Sequence, residues 1–158
     1  MKAPKCILLA ALSGTFWGPM CLPSLAQENA KCPIMTDGDV DPEETVEFAG
    51  KKVGVCCSKC GRLWVKNATY YIKAAPEWLP QFKGMEAALG LDKIELLRQK
   101  FCPMKTKNLI CPDSPSRDVL GVKVYFFDQK ALEKWQLDEA GNIRRALDAG
   151  LLPQLVGR

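Results

Sequence analysis

Cys32-Pro33-Ile34-Met35 and Cys56-Cys57-Ser58-Lys59-Cys60 are the residues of this chain whose types and spacing could do chemistry. Three or four sulfurs converging from a tight knuckle and a helix start suit a soft metal ion, Cu(I) or Zn(II). The 158-residue chain contains no histidine, so sulfur must carry any such site. Cys32, Cys56, Cys57 and Cys60 are the candidate ligands. Met35 is a weaker candidate, because a thioether suits Cu(I) and not Zn(II), and core packing is the commoner job of methionine.

Local elements must bring these sulfurs together. Thr45-Val46-Glu47-Phe48 and Lys52-Val53-Gly54-Val55-Cys56 alternate apolar and polar residues, with Ala49-Gly50-Lys51 between them. That pattern predicts a β-hairpin bent at Gly50. Ser58 reads as an N-cap. Leu63, Trp64, Tyr71 and Ile72 then recur at helical intervals, predicting a helix from Ser58 with a break around Asn67. Cys60 falls in its first turn, where the helix dipole and free N–H groups stabilise a thiolate. Successive strand residues face opposite sides, so Cys56 and Cys57 cannot both reach the site unless the strand has already turned. The Cys57-x-x-Cys60 spacing, and the turn needed before Ser58, favour Cys57; Cys56 stays open.

The pattern returns further along. Cys102-Pro103-Met104 echoes the first knuckle, and Val119, Gly121, Val122, Val124, Tyr125 and Phe126 echo the hairpin. Aligning Trp64 with Trp135 sets Asn67 on Asp138 and Ile72 on Ile143. Two copies of one module are expected. On this alignment Cys56, Cys57 and Cys60 fall opposite Phe127, Asp128 and Ala131, so the second copy has lost the ligand set. Its cysteines, Cys102 and Cys111, are expected to form a disulfide or to remain free thiols. Between the copies, Asp92 and Glu95 make a capping box. Met85, Leu89, Ile94, Leu97 and Phe101 supply an apolar face, predicting a linker helix.

Residues 1–26 read as an export signal. Lys2 and Lys5 precede an apolar core, and Pro23-Ser24-Leu25-Ala26 offers small residues for cleavage. Removing the two lysines lowers the net charge from +4 to +2. With no dense basic run, a nucleic-acid partner is not expected, and no later segment is long and apolar enough to span a bilayer. An exported chain with six remaining cysteines could equally be a disulfide-stapled interaction module. The acidic loop at 37–44 lacks EF-hand spacing and reads as a solvated loop.

Cys-Pro-x-Met, a Gly-centred hairpin and Cys-Cys-x-x-Cys followed by an aromatic resemble the YHS/TRASH-type metal-binding modules. The resemblance covers residues 31–73, and 101–150 in degenerate form. It implies small treble-clef-like units and a role in handling heavy metals. The family's Cys-x-x-x-Cys spacing points to Cys56 with Cys60. The 23 residues enclosed by Cys32 and Cys56 are slightly more than the family norm, and the family's histidine is absent.

The fold expected is therefore α+β: a signal at 1–26, a Cys-rich module at 27–75, a helical linker at 76–100 and a degenerate copy at 101–158. The function implied is an exported protein that binds one Zn or Cu(I) ion as a chaperone, buffer or accessory, with another exported metal-handling protein as a partner. The alternatives are the metal-free interaction module and a thiol–disulfide oxidoreductase using Cys57 and Cys60. The latter is the one enzyme reading open to a chain without histidine or suitably paired carboxylates.

Overall fold

A computed structural model describes residues 29–157; the expected export signal lies outside them. Thr45-Val46-Glu47-Phe48 and Lys51-Lys52-Val53-Gly54 pair antiparallel as β1 (Thr45–Phe48) and β2 (Lys51–Gly54). The turn between them holds Ala49 at φ 49° and Gly50 at φ 71°. Positive φ at both central residues is the type I′ geometry that matches the twist of the two strands. Helix α1 (Ser58–Ala74) follows directly. Its N-cap residue is Cys57, in extended conformation, so the cap falls one residue before the expected Ser58. The expected break is present: Asn67 is non-helical at φ −137° and ψ 32°.

The second half repeats this plan. After β3 (Phe101–Cys102) and β4 (Lys105–Leu109), strands β5 (Ser116–Val119) and β6 (Val122–Tyr125) form a hairpin whose turn holds Leu120 at φ 51° and Gly121 at φ 75°. Helices α2 (Gln129–Gln136) and α3 (Glu139–Asp148) then meet at Asp138, the counterpart of Asn67. The fold class is α+β, with three two-stranded antiparallel sheets and three helices among the described residues. One apolar core runs through both halves, centred on Trp64, Tyr71 and Phe82 in the first and on Phe126 and Trp135 in the second.

Buried amides occupy matching places in the two halves. Asn29 donates to the carbonyls of Lys31 and Gly54 and accepts from the Gly54 amide. Gln99 donates to the carbonyls of Phe101 and Tyr125 and accepts from the Tyr125 amide. Each is met by a glutamine from a 3-10 turn. Gln81 (turn Pro80–Phe82) bonds Asn29 and the Lys52 carbonyl; Gln154 (turn Pro153–Leu155) bonds Gln99 and the Lys123 carbonyl. Leu79-Pro80-Gln81 and Leu152-Pro153-Gln154 thus close equivalent modules. Gln81, within the segment expected as the linker, is thus bonded to the first half.

The expected linker helix does not form. The segment carries 3-10 turns at Pro76–Trp78, Pro80–Phe82 and Leu91–Lys93, with extended backbone at Ile94. Gly84 and Gly90 take left-handed φ of 83° and 62°. Those positions end a helical run before the Asp92–Glu95 box can extend one.

The Cys102–Cys111 disulfide is also absent; both are buried free thiols. Phe101 pairs with Leu109, and the Ile110 amide bonds the Lys100 carbonyl. Cys111 therefore lies about 10 Å along the ladder from Cys102, beyond the roughly 4.4–6.8 Å that a disulfide allows between Cα atoms. Cys111 instead bonds Ser114 through both its amide and its sulfur.

Candidate metal centre

The knuckle forms because Cys32-Pro33-Ile34-Met35 turns sharply enough to close on itself. The Gly38 amide donates to the Met35 carbonyl at 2.8 Å, and the Cys32 amide donates to the Gly38 carbonyl at 2.9 Å. The Met35 amide donates to the Cys32 sulfur at 3.4 Å. The edge of this loop is then held by the second half: Thr36 donates to the Lys107 carbonyl and the Leu109 amide donates to that of Ile34. Opposite, β2 delivers Cys56 at its exit, and the first turn of α1 delivers Cys60.

The sulfurs of Cys32, Cys56 and Cys60 all lie within 4.8 Å of one another. Cys56 Sγ is 3.7 Å from Cys60 Sγ and 3.6 Å from Met35 Sδ. Cys57 Sγ stands 4.0 Å from Cys56 Sγ and outside the trio. The Cys-x-x-x-Cys pair is thus the one brought together with Cys32. Strand β2 ends at Gly54, the chain bends at Cys56, and Cys57 serves as the helix N-cap residue. Cys32 and Cys60 are fully buried, while Met35, Cys56 and Cys57 are half-buried and form the mouth.

Gly38 was not singled out from sequence, where it sits in what reads as a solvated acidic loop. A Cβ there would lie 3.2 Å from the Met35 carbonyl oxygen, 3.3 Å from Cys56 Cβ and 3.5 Å from Cys56 Sγ. Only a bare backbone lets the knuckle approach Cys56 this closely.

The thiols share protons unequally. A hydrogen bond from the Cys60 thiol holds Cys32 down at about 5 against the opposing effect of burial, with backbone groups of Met35, Ile34 and Cys56 helping. Burial pushes Cys56 up to about 12, and the charge on Cys32 adds to this. Cys60 is pushed up, first because its thiol donates to Cys32 and then by burial. For Cys57, burial raises the pKa, but the nearby backbone and thiol of Cys60 and the Cys56 thiol outweigh it and lower it. At neutral pH the trio therefore carries one thiolate, on Cys32, stabilised by neighbouring thiols. A soft cation entering would replace the shared protons. Three sulfurs with a thioether at hand, and no carboxylate or imidazole in the group, make a donor set that fits such a cation.

The corresponding place in the second half is filled differently. Backbone groups of Phe127, Met104 and Lys105 face Cys102, as those of Cys56, Ile34 and Met35 face Cys32. Phe127 thus occupies the position of Cys56, and Lys105, rather than Met104, that of Met35. Asp128 takes the N-cap position of Cys57 and accepts from the Ala131 amide. Its other oxygen receives both Lys105 and Lys59, and both ammonium groups also lie over the Phe127 ring, 5.2 Å and 4.4 Å from its centre. Lys59 and Lys105 were missed from sequence, since neither stands near Asp128 along the chain.

Comparison of the chain with family models, with curated proteins and with solved structures gives no match. The cysteine trio itself is therefore the functional evidence: a group able to hold a metal ion, in a cysteine-rich chain whose described helices include none long and apolar enough to cross a membrane.

Proposed function

We propose that this is an exported heavy-metal-binding protein, of the YHS/TRASH kind, whose first module binds one Cu(I) ion through Cys32, Cys56 and Cys60. The observation that carries the reading is the convergence of these three sulfurs within 4.8 Å of one another, with Met35 Sδ 3.6 Å from Cys56. Zn(II) sites in proteins are usually closed by four N, S or O ligands, and a thioether is a poor one for zinc. Cu(I) accepts thiolate and thioether donors. The set of three thiols with Met35 at their edge favours copper.

The chemistry is coordination and not turnover. The second module, whose equivalent place holds Phe127, Lys105 and Asp128, supports the first structurally: β4 pairs with the knuckle, and Asp128 anchors Lys59. Export rests on the sequence of residues 1–26, with cleavage after Ala26.

The test is elemental mass spectrometry and a free-thiol count on protein recovered from its native compartment, with its N-terminus sequenced. About one copper per chain, lost in Cys60→Ser, is the expected result. Protein with no metal and no free thiols would overturn the reading in favour of a disulfide-stapled module.

A further inference from the structure

From the position of its sulfur, we infer that Cys57 is the exchange thiol of this centre: the residue through which a soft monovalent ion enters and leaves the Cys32–Cys56–Cys60 trio. The inference rests on the proposed Cu(I) reading and makes the protein a donor to a thiol- or thioether-bearing acceptor rather than a store.

Four observations carry it. The trio is asymmetric in depth: Cys32 and Cys60 are fully buried, while Cys56, with Met35 beside it, is half-exposed. Cys57 stands on that side. Its sulfur is 4.0 Å from Cys56 Sγ, a separation that a single ion bonded to both could bridge. It is not one of the sulfurs that close the trio. Finally, its backbone is fixed, because it is the N-cap residue of α1 at φ −174° and ψ 163°, so its sulfur is presented beside the mouth. The second module keeps the N-cap role with Asp128, which shows that capping does not require sulfur there.

Transfer by this route needs no oxidant or reductant. A bond from the ion to the Cys57 sulfur forms as the bond to Cys56 breaks. The Cys57 thiol proton is given to solvent, the freed Cys56 thiolate takes one up, and the ion remains Cu(I). Acceptor sulfurs then bond the ion as its bonds to Cys60, Cys32 and finally Cys57 break; the freed Cys60 and Cys57 thiolates take up protons from solvent. Associative exchange of this kind lowers the barrier to release without altering the affinity of the filled site.

The experiment loads the full chain with Cu(I) under anaerobic conditions and follows its transfer to a chromophoric Cu(I) chelator by stopped flow. Equilibrium affinity is measured by competition with the same chelator. Cys57→Ser is expected to hold Cu(I) about as tightly as the parent while releasing it about tenfold more slowly, and Cys56→Ser to lose affinity. Release from Cys57→Ser at the parent rate would overturn the inference. So would a loss of affinity in Cys57→Ser as large as that in Cys56→Ser, which would make Cys57 a holding ligand. Failure of the parent chain to bind Cu(I) at all would instead refute the proposed function, and this inference with it.

Discussion

Lys59 Nζ lies 2.7 Å from Asp128 Oδ2, tying the first turn of the cysteine-bearing helix to the start of its counterpart in the other half of the chain. Lys105 shares the same oxygen at 2.7 Å. Burial alone would raise the Asp128 carboxyl, but Lys105 and Lys59 outweigh it and hold it well below the usual carboxylate range. A depressed folded-state pKa gives stability that is present above the unfolded value, about 3.9 for aspartate, and is lost as pH falls through the folded one. Asp128→Asn keeps an oxygen for the Ala131 amide but removes the charge. It should lower stability at pH 7 by about 1–2 kcal/mol. It should also flatten the decline below about pH 4. Urea denaturation at neutral and acid pH reads both effects. Equal slopes for the two proteins would mean that the two lysines do not depend on this carboxylate.

The unequal sharing of protons in the trio makes metal retention sensitive to acid. Cys32, held at about 5 chiefly by the Cys60 thiol and against burial, is a thiolate at neutral pH. Lowering the pH through that value protonates the one sulfur already charged, so the ion must compete with a proton there. Thiolate ultraviolet absorbance of the metal-free chain should show one titration near pH 5, well below the ordinary cysteine range of about 8.5. That step should vanish in Cys32→Ser. Bound Cu(I) should be lost over the same range. Absence of a low-pH thiolate step in the parent would remove the basis for this acid sensitivity.

The buried amide network gives a prediction about the fold alone. Gln99 is almost fully buried and makes four hydrogen bonds, two donated to carbonyls, one accepted from the Tyr125 amide and one accepted from Gln154. Gln99→Leu keeps the volume but strands those partners, and should cost about 2–4 kcal/mol. Gln136→Leu, on the exposed face of α2, should stay within about 0.5 kcal/mol of the parent. Similar denaturation midpoints for the two variants would show that the network contributes little.

Features written in local chemistry were legible in the sequence. Gly50, set between two alternating runs, and Gly121, its counterpart in the echoed hairpin, both mark hairpin turns in the fold. Asn67 and Asp138, aligned through the two tryptophans, mark equivalent helix breaks. Features that depend on distant partners were not legible. The apolar spacing from Met85 to Phe101 resembles a helix, but a left-handed glycine at 90 divides it. The separation of Cys102 and Cys111 suits a disulfide in sequence, yet strand register draws them apart. The choice between Cys56 and Cys57 turned on where strand gives way to helix, a boundary that shifts by a residue without leaving a mark in composition.

The equivalence of the two modules can be tested by giving the second one a trio of its own. Cys102 is already buried in the position of Cys32, Phe127 stands in the place of Cys56, and Ala131, buried one turn into α2, in that of Cys60. Phe127→Cys with Ala131→Cys supplies the two missing sulfurs. Adding Lys105→Met removes the ammonium that occupies the place of Met35 and frees Asp128 of one of its two lysines. Losing a large buried ring leaves a cavity, so the variant should be destabilised by about 3–5 kcal/mol without metal. Metal that binds the folded form offsets this in proportion to its occupancy. Elemental analysis should give about two copper ions per chain in place of one, with thermal stability recovering as copper is added. A folded variant that still takes up a single ion would show that the two sites differ in more than their side chains.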